Sequence, residues 1–110
     1  MESKKRRRLE AAGWRIGSAE EFLTLNDEEA SIVELKLGLA DAVKEKRARR
    51  RLTQEQLGKL LGSSQSRIAK LEAADSSVSI DLMVRSLIRM GASRKEVASY
   101  ITAPVRRRAA

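Results

Sequence analysis

The chain has no cysteine and no histidine, a single proline and only three aromatic residues, Trp14, Phe22 and Tyr100. Each absence removes a class of function. Without cysteine there is no disulfide framework and no thiolate nucleophile. Without either cysteine or histidine, the zinc sites built on those ligands cannot form, and serine–histidine and cysteine–histidine catalysis are excluded. No phosphate-cradling glycine loop and no metal-ligand spacing occurs. Adjacent acids such as Glu20 with Glu21, or Glu28 with Glu29, stand at helix starts, where the helix dipole accounts for them. The sequence therefore predicts no enzymatic activity, no cofactor and no metal. Apolar runs are short, so nothing spans a bilayer, and the basic N-terminus lacks the apolar stretch of a secretory signal. A cytoplasmic location without a membrane partner is expected. So few aromatics leave leucine and isoleucine to build the core. They also give little platform for stacking bases, which weakens RNA as an alternative target.

What the chain has instead is charge, and it is unevenly placed. The 110 residues make one small domain with a formal net charge of +8. Residues 1–15 carry six basic and two acidic side chains, residues 16–45 two basic and eight acidic. Residues 46–75 return to eight basic against three acidic, and residues 76–110 have seven against two. A basic field of this kind raises on-rates toward polyanions, and an evenly solvated charge is its bland alternative.

Helical periodicity and capping signals divide the chain. Residues 1–13 include the run Lys4, Lys5, Arg6, Arg7, Arg8 and read as a flexible basic tail. The Ser18–Glu21 spacing begins a short helix, Ala19 to Leu25, presenting Phe22 and Leu23 beside Trp14 and Ile16. Asn26 and Glu29 repeat that spacing. Ile32, Leu35, Leu39 and Val43 then mark one face of a long helix from about Asp27 to Arg50, so 14–33 forms an N-terminal extension and the start of that helix. Thr53 caps a helix from Gln54 to Leu61 with Leu57, Leu60 and Leu61 inward, and Gly62 stops it. Ser64 caps the next, Gln65 to about Ala73, with Ile68 and Leu71 inward. Ser79 caps a helix that ends at Gly91 and supplies Ile80, Met83, Val84, Leu87 and Ile88. Ser93 and Glu96 start a last helix reaching Ile101, and 103–110 is a basic C-terminal tail. Nothing alternates with the strand period. The fold class is all-α.

The stretch 54–72, QEQLGKLLGSSQSRIAKLE, joins two short helices by a tight glycine turn. Its small residue Gly58, turn residue Gly62 and apolar Ile68 and Leu71 fall four, eight, fourteen and seventeen places after Gln54. In this combination the sequence resembles the lambda repressor-like, Xre-type helix-turn-helix DNA-binding family. The resemblance covers about Leu35 to Gly91 and implies a domain of about five helices, 34–102, with a short N-terminal helical extension. Two positions depart from the family pattern: Gly58 replaces the commoner alanine, and Ser63 stands where an apolar residue is usual. Both departures are expected to loosen the helix pair.

The resemblance also implies roles. The recognition helix, 65–73, would lie in the major groove of double-stranded DNA with Gln65 and Ser66 at base edges, since an amide can pair bidentately with adenine. Arg67 would read guanine or hold a phosphate; its structural alternative is an ion pair with Glu72. Gln54 would meet a phosphate and brace Gln65, and Thr53, Ser64 and Lys70 would contact the backbone, while Arg49, Arg50 and Arg51 add sequence-independent attraction. Thr53 and Ser64 would also serve as caps in any helical protein. The implied function is a repressor-like transcription regulator reading a palindromic operator as a homodimer. Leu82 and Met90, off the inward face of their helix, leave apolar surface that either a dimer contact or packing against the N-terminal segment would cover. More narrowly, GWRIGSAEEFL, SSQSRIAKLE and SVSIDLMVRSLIRMG are similar to antitoxin-like Xre regulators of the host-inhibition toxin–antitoxin type. That implies, as the alternative, an antitoxin whose acidic N-terminal third neutralises a small ribonuclease-type toxin, with Trp14 and Phe22 as anchors, and which autoregulates its operon.

Overall fold

A computed structural model describes residues 7–8 and 27–103. The predicted helix at 19–25, its cap Ser18, the Asn26 cap, the Trp14 and Phe22 anchors and the segment 104–110 lie outside the described residues. Within them the chain forms five helices: α1 (Asp27–Arg49), α2 (Gln54–Leu61), α3 (Gln65–Glu72), α4 (Ile80–Arg89) and α5 (Arg94–Thr102). Described residues form no strand. Each start follows from its cap. Thr53, Ser64, Ser79 and Ser93 hold extended backbone and accept, through their hydroxyls, the amide hydrogens of Gln56, Arg67, Leu82 and Glu96. Such a hydroxyl satisfies one of the orphan donors of a helix start, typically a contribution of ~1 kcal/mol. The length of α1 is supported by acids in its first turn, Asp27, Glu28 and Glu29, and bases in its last, Lys46, Arg47 and Arg49.

α1 is the axis of the fold. It packs against α3, α4 and α5, while α2 lies on α3 and α4. Because neighbours cover it from several sides, its buried residues Val33, Leu37, Leu39, Ala40, Ala42 and Val43 form a broad band. The narrow expected face is only half right: Leu39 and Val43 are fully buried, Leu35 is half-buried and Ile32 is exposed. Leu57, Ile68, Leu71, Met83 and Leu87 close the core from the other helices, with Ala74 and Val78 from the connection between α3 and α4. At roughly 1.5–3 kcal/mol for each large aliphatic side chain taken out of water, this cluster dominates the stability of the domain.

Three expected inward or outward positions are corrected. Leu60 and Ile88 are exposed, at 42% and 51%, and Met90 is buried at 1%. On α2 the second inward position is Gly58, not Leu60, because the turn folds back onto that glycine. On α4 the helix ends before Met90, and the chain's turn at Gly91 swings Met90 into the core, so it leaves no apolar surface for a dimer contact. Leu82 is partly buried against the core. Ile88 is the large apolar residue that α4 exposes.

Candidate nucleic-acid interface

α2 and α3 meet at a turn of three residues. Gly62 takes the left-handed conformation, φ 68° and ψ 34°, and its amide donates to the Lys59 carbonyl at 3.2 Å while Ser63 donates to the Gly58 carbonyl at 2.7 Å. These two bonds satisfy the last carbonyls of α2 and reverse the chain. The turn then lies on Gly58: a Cβ there would stand 3.0 Å from the Ser63 oxygen and 3.1 Å from the Ser64 carbonyl. Glycine at this position therefore tightens the pair, contrary to the expected loosening.

On α3, Ile68, Leu71 and Glu72 point inward, and Gln65, Ser66, Arg67 and Lys70 are exposed. Gln65, Ser66 and Arg67 form the first turn of the helix. It is the one described helix with no acid in its first turn. Its amide dipoles, the Ser64 and Ser66 hydroxyls 3.2 Å apart, and the Arg67 guanidinium thus face solvent without a competing carboxylate on that turn. Thr53 is exposed at the start of α2, where its hydroxyl and the Gln56 side chain close a reciprocal cap at 3.0 and 2.8 Å. Lys70 stands one turn further along α3 and helps, after the Ser77 hydrogen bonds, to hold the Asp75 carboxyl below its ordinary value.

Gln54 and Gln65 come together across the turn. Gln65 Nε2 donates to Gln54 Oε1 at 2.7 Å, so the expected brace is present. Gln54 Nε2 in turn donates to Glu72 Oε1 at 3.1 Å. Glu72 is buried and paired with Arg47 of α1, whose Nε and Nη2 donate at 2.5 and 3.0 Å; Arg47 Nη1 donates to the Leu52 carbonyl at 2.8 Å. The Glu72 hydrogen bond holds the Arg47 guanidinium above its usual pKa even though partial burial pulls the other way. Arg67 is not the partner of Glu72. Sequence reading missed Arg47 in this role. The signal was present: Glu72 falls four residues after Ile68 and beside Leu71 on the inward stripe, where an acid needs a buried cation.

The arginines before the motif divide. Arg49 pairs with Glu45 at 2.5 Å in an exposed pair along α1, and Arg50 donates to the Met90 carbonyl, which ties the end of α1 to that of α4. Arg51 is exposed in the left-handed conformation, φ 54°. Arg89 donates to the Leu60 carbonyl at 2.9 Å and ties α4 to the end of α2. Among the described residues no cluster of acids could hold a metal ion, and no helix is long and apolar enough to cross a membrane.

Two short helices crossing at a glycine turn, the second presenting a polar, acid-free first turn, define a helix-turn-helix unit, the framework of a DNA-binding domain. The helix-turn-helix domain family matches residues 22–95, well over half of the chain, and the chain belongs to that family. No curated protein and no solved structure matches it.

Proposed function

We propose that this chain is a sequence-specific, repressor-like transcription regulator that acts by occupying its operator and carries no catalytic activity. The observation that carries this reading is the exposed, acid-free start of α3 with Gln65 already braced by Gln54. In this reading Gln65 and Ser66 meet base edges, Arg67 meets a guanine or a phosphate, and Gln54, Thr53, Ser64 and Lys70 meet the backbone. A side chain held before binding loses less entropy on contact. Binding as a two-fold pair would set two α3 helices about 34 Å apart on a palindromic operator. Ile88 takes the place of Met90 as the apolar residue on α4 available to such a contact.

A second reading, the antitoxin, draws support from the exposed acids Asp27, Glu28 and Glu29 at the start of α1, opposite in sign to the rest of the domain. Co-purification of a small basic protein encoded beside this gene tests it.

For the leading reading the test is competition between the protein's own upstream promoter fragment and scrambled duplex of equal length, at physiological salt. A preference of ~10³ or more is expected. Equal, steeply salt-dependent binding to both would reduce the interaction to charge attraction and reject operator reading.

A further inference from the structure

The geometry points to Glu72 as the positioning residue that decides which base Gln65 accepts, acting through Gln54. The inference rests on the reading of Gln65 as a base-contacting side chain. A primary amide can turn over, exchanging its oxygen and nitrogen, and an exposed glutamine alone has no reason to prefer either orientation. Here each link of the chain permits one polarity. The Glu72 carboxylate only accepts. Arg47 locks it with two hydrogen bonds and is itself tied to the Leu52 carbonyl, so the carboxylate cannot swing away. Gln54 must therefore offer Nε2 to Glu72, which turns its Oε1 toward Gln65. That oxygen also only accepts, so Gln65 must offer Nε2 in its turn.

What remains on the free edge of Gln65 is its carbonyl oxygen and its second amide hydrogen. An acceptor beside a donor complements the N6 donor and N7 acceptor of adenine. With the amide reversed, both contacts to adenine would clash, donor against N6 and acceptor against N7, whereas guanine would still accept at O6 and clash only at N7, so the preference for adenine would be lost. The buried negative charge is thus transmitted, through two amides, as a choice of base. This also accounts for the Arg47–Glu72 ion pair at a core position, where replacing both partners by apolar side chains of similar volume would often be as stable or more so.

The test begins with selection of tight-binding duplexes from a randomised pool by the wild-type protein and by Gln65→Ala. The base pair whose preference disappears in Gln65→Ala is the one Gln65 reads, and adenine is expected there. Glu72→Gln, which can donate as well as accept, and Gln54→Met, which leaves Arg47–Glu72 intact if the first variant folds poorly, are then measured on that duplex with adenine or guanine at the position. Each is expected to narrow the adenine preference by at least ~5-fold, with preferences at other positions unchanged. In the DNA-free protein, one of the two side-chain amide hydrogens of Gln65, the one donated to Gln54, should be the more protected and lose that protection in both variants. Full adenine preference in both variants overturns the inference while leaving Gln65 as a reader. A guanine preference in the wild type overturns it as well. If Gln65→Ala changes no position, the reading of Gln65 itself fails, and protection of its amide in the free protein then shows that the brace exists for another purpose.

Discussion

The pairs α2–α3 and α4–α5 are built on the same joint. Each first helix ends on a glycine of positive φ, Gly62 at 68° and Gly91 at 96°. Each joint is closed by two backbone bonds: Gly62 to Lys59 and Ser63 to Gly58 in the first, Gly91 to Ile88 and Ala92 to Leu87 in the second. Each second helix is then capped by a serine hydroxyl, Ser64 or Ser93, at 3.1 Å. The difference is the third residue of that helix. In α5 it is Glu96, whose carboxylate accepts from the Ser93 amide at 3.1 Å and closes the cap with negative charge. In α3 it is Arg67, a donor that cannot reciprocate. One joint is self-contained and serves the core; the other presents an uncompensated positive helix end. The same local rules thus make a structural corner or, in the proposed function, a docking edge according to one side chain.

The largest effect is expected behind the docking edge. Glu72→Leu should cost roughly 3–5 kcal/mol, because it strands the Arg47 guanidinium, and denaturant unfolding measures it. Adding Arg47→Met should restore much of that loss. A single variant as stable as the wild type would show that Arg47 finds water or another acceptor, and that the interior behind α3 is wetter than its packing implies.

Exchange of the third residues sharpens the comparison. Arg67→Glu should give α3 the closed cap of α5, with stability held or raised by a few tenths of a kcal/mol, while DNA affinity falls by roughly 1.5–3 kcal/mol and the salt dependence flattens. Glu96→Arg should weaken α5 without changing DNA affinity. Filter or anisotropy titrations beside thermal melts separate the two quantities. If Arg67→Glu binds as the wild type does, the start of α3 is not a phosphate or base contact.

The glycines rank next. Replacing either by alanine forces an L side chain to positive φ, a cost on the order of 1–2 kcal/mol. Gly91→Ala should cost more than Gly62→Ala, since 96° lies further from the left-handed minimum than 68°, while neither position crowds a Cβ. Equal losses in melting would mean that the backbone relaxes at Gly91.

Much of this architecture is legible in the sequence because the joints are local. Thr53, Ser64, Ser79 and Ser93 announce the helix starts, and Gly62 and Gly91 two of the ends. For α1 and α3 the periodicity places the ends at about Arg50 and Ala73, within a residue of the observed Arg49 and Glu72, but the turns that follow are not legible: Arg51 and Ala74 take positive φ, 54° and 56°, without the glycine that marks such a turn. Which face of α1 is buried, and why Met90 is inside while Ile88 and Leu60 are outside, depends on neighbours that sequence spacing does not supply. At the proposed interface the Gln54–Gln65 brace is implied by the resemblance to the helix-turn-helix family. Its continuation to Arg47 is not, because the cation lies twenty-five residues before Glu72 on another helix.

Acid gives the smallest and most local difference. The Glu96 carboxyl is held below its ordinary value of 4.5, first by the Ser93 amide and then by Lys46, 3.8 Å away. Its folded pKa lies below its unfolded one, so the stability it contributes is present above the unfolded value and is lost as pH falls through the folded value. Asp75 is likewise held low, chiefly by the Ser77 hydroxyl and amide, which places the loop between α3 and α4 in the same acid-sensitive class. The first turn of α3 carries no carboxylate to lose. As the pH is lowered below about 4.5, amide protection relative to the intrinsic exchange rate at each pH should therefore fall first at the start of α5 and around Ser77, with the first turn of α3 following only when the whole domain opens. The loss at α5 is confined to a fully exposed carboxylate, so the melting temperature should move little until global acid unfolding begins. Simultaneous loss of protection at Arg67 and Glu96 would show that the two joints open as one cooperative unit, and that the difference in their third residues governs binding but not local stability.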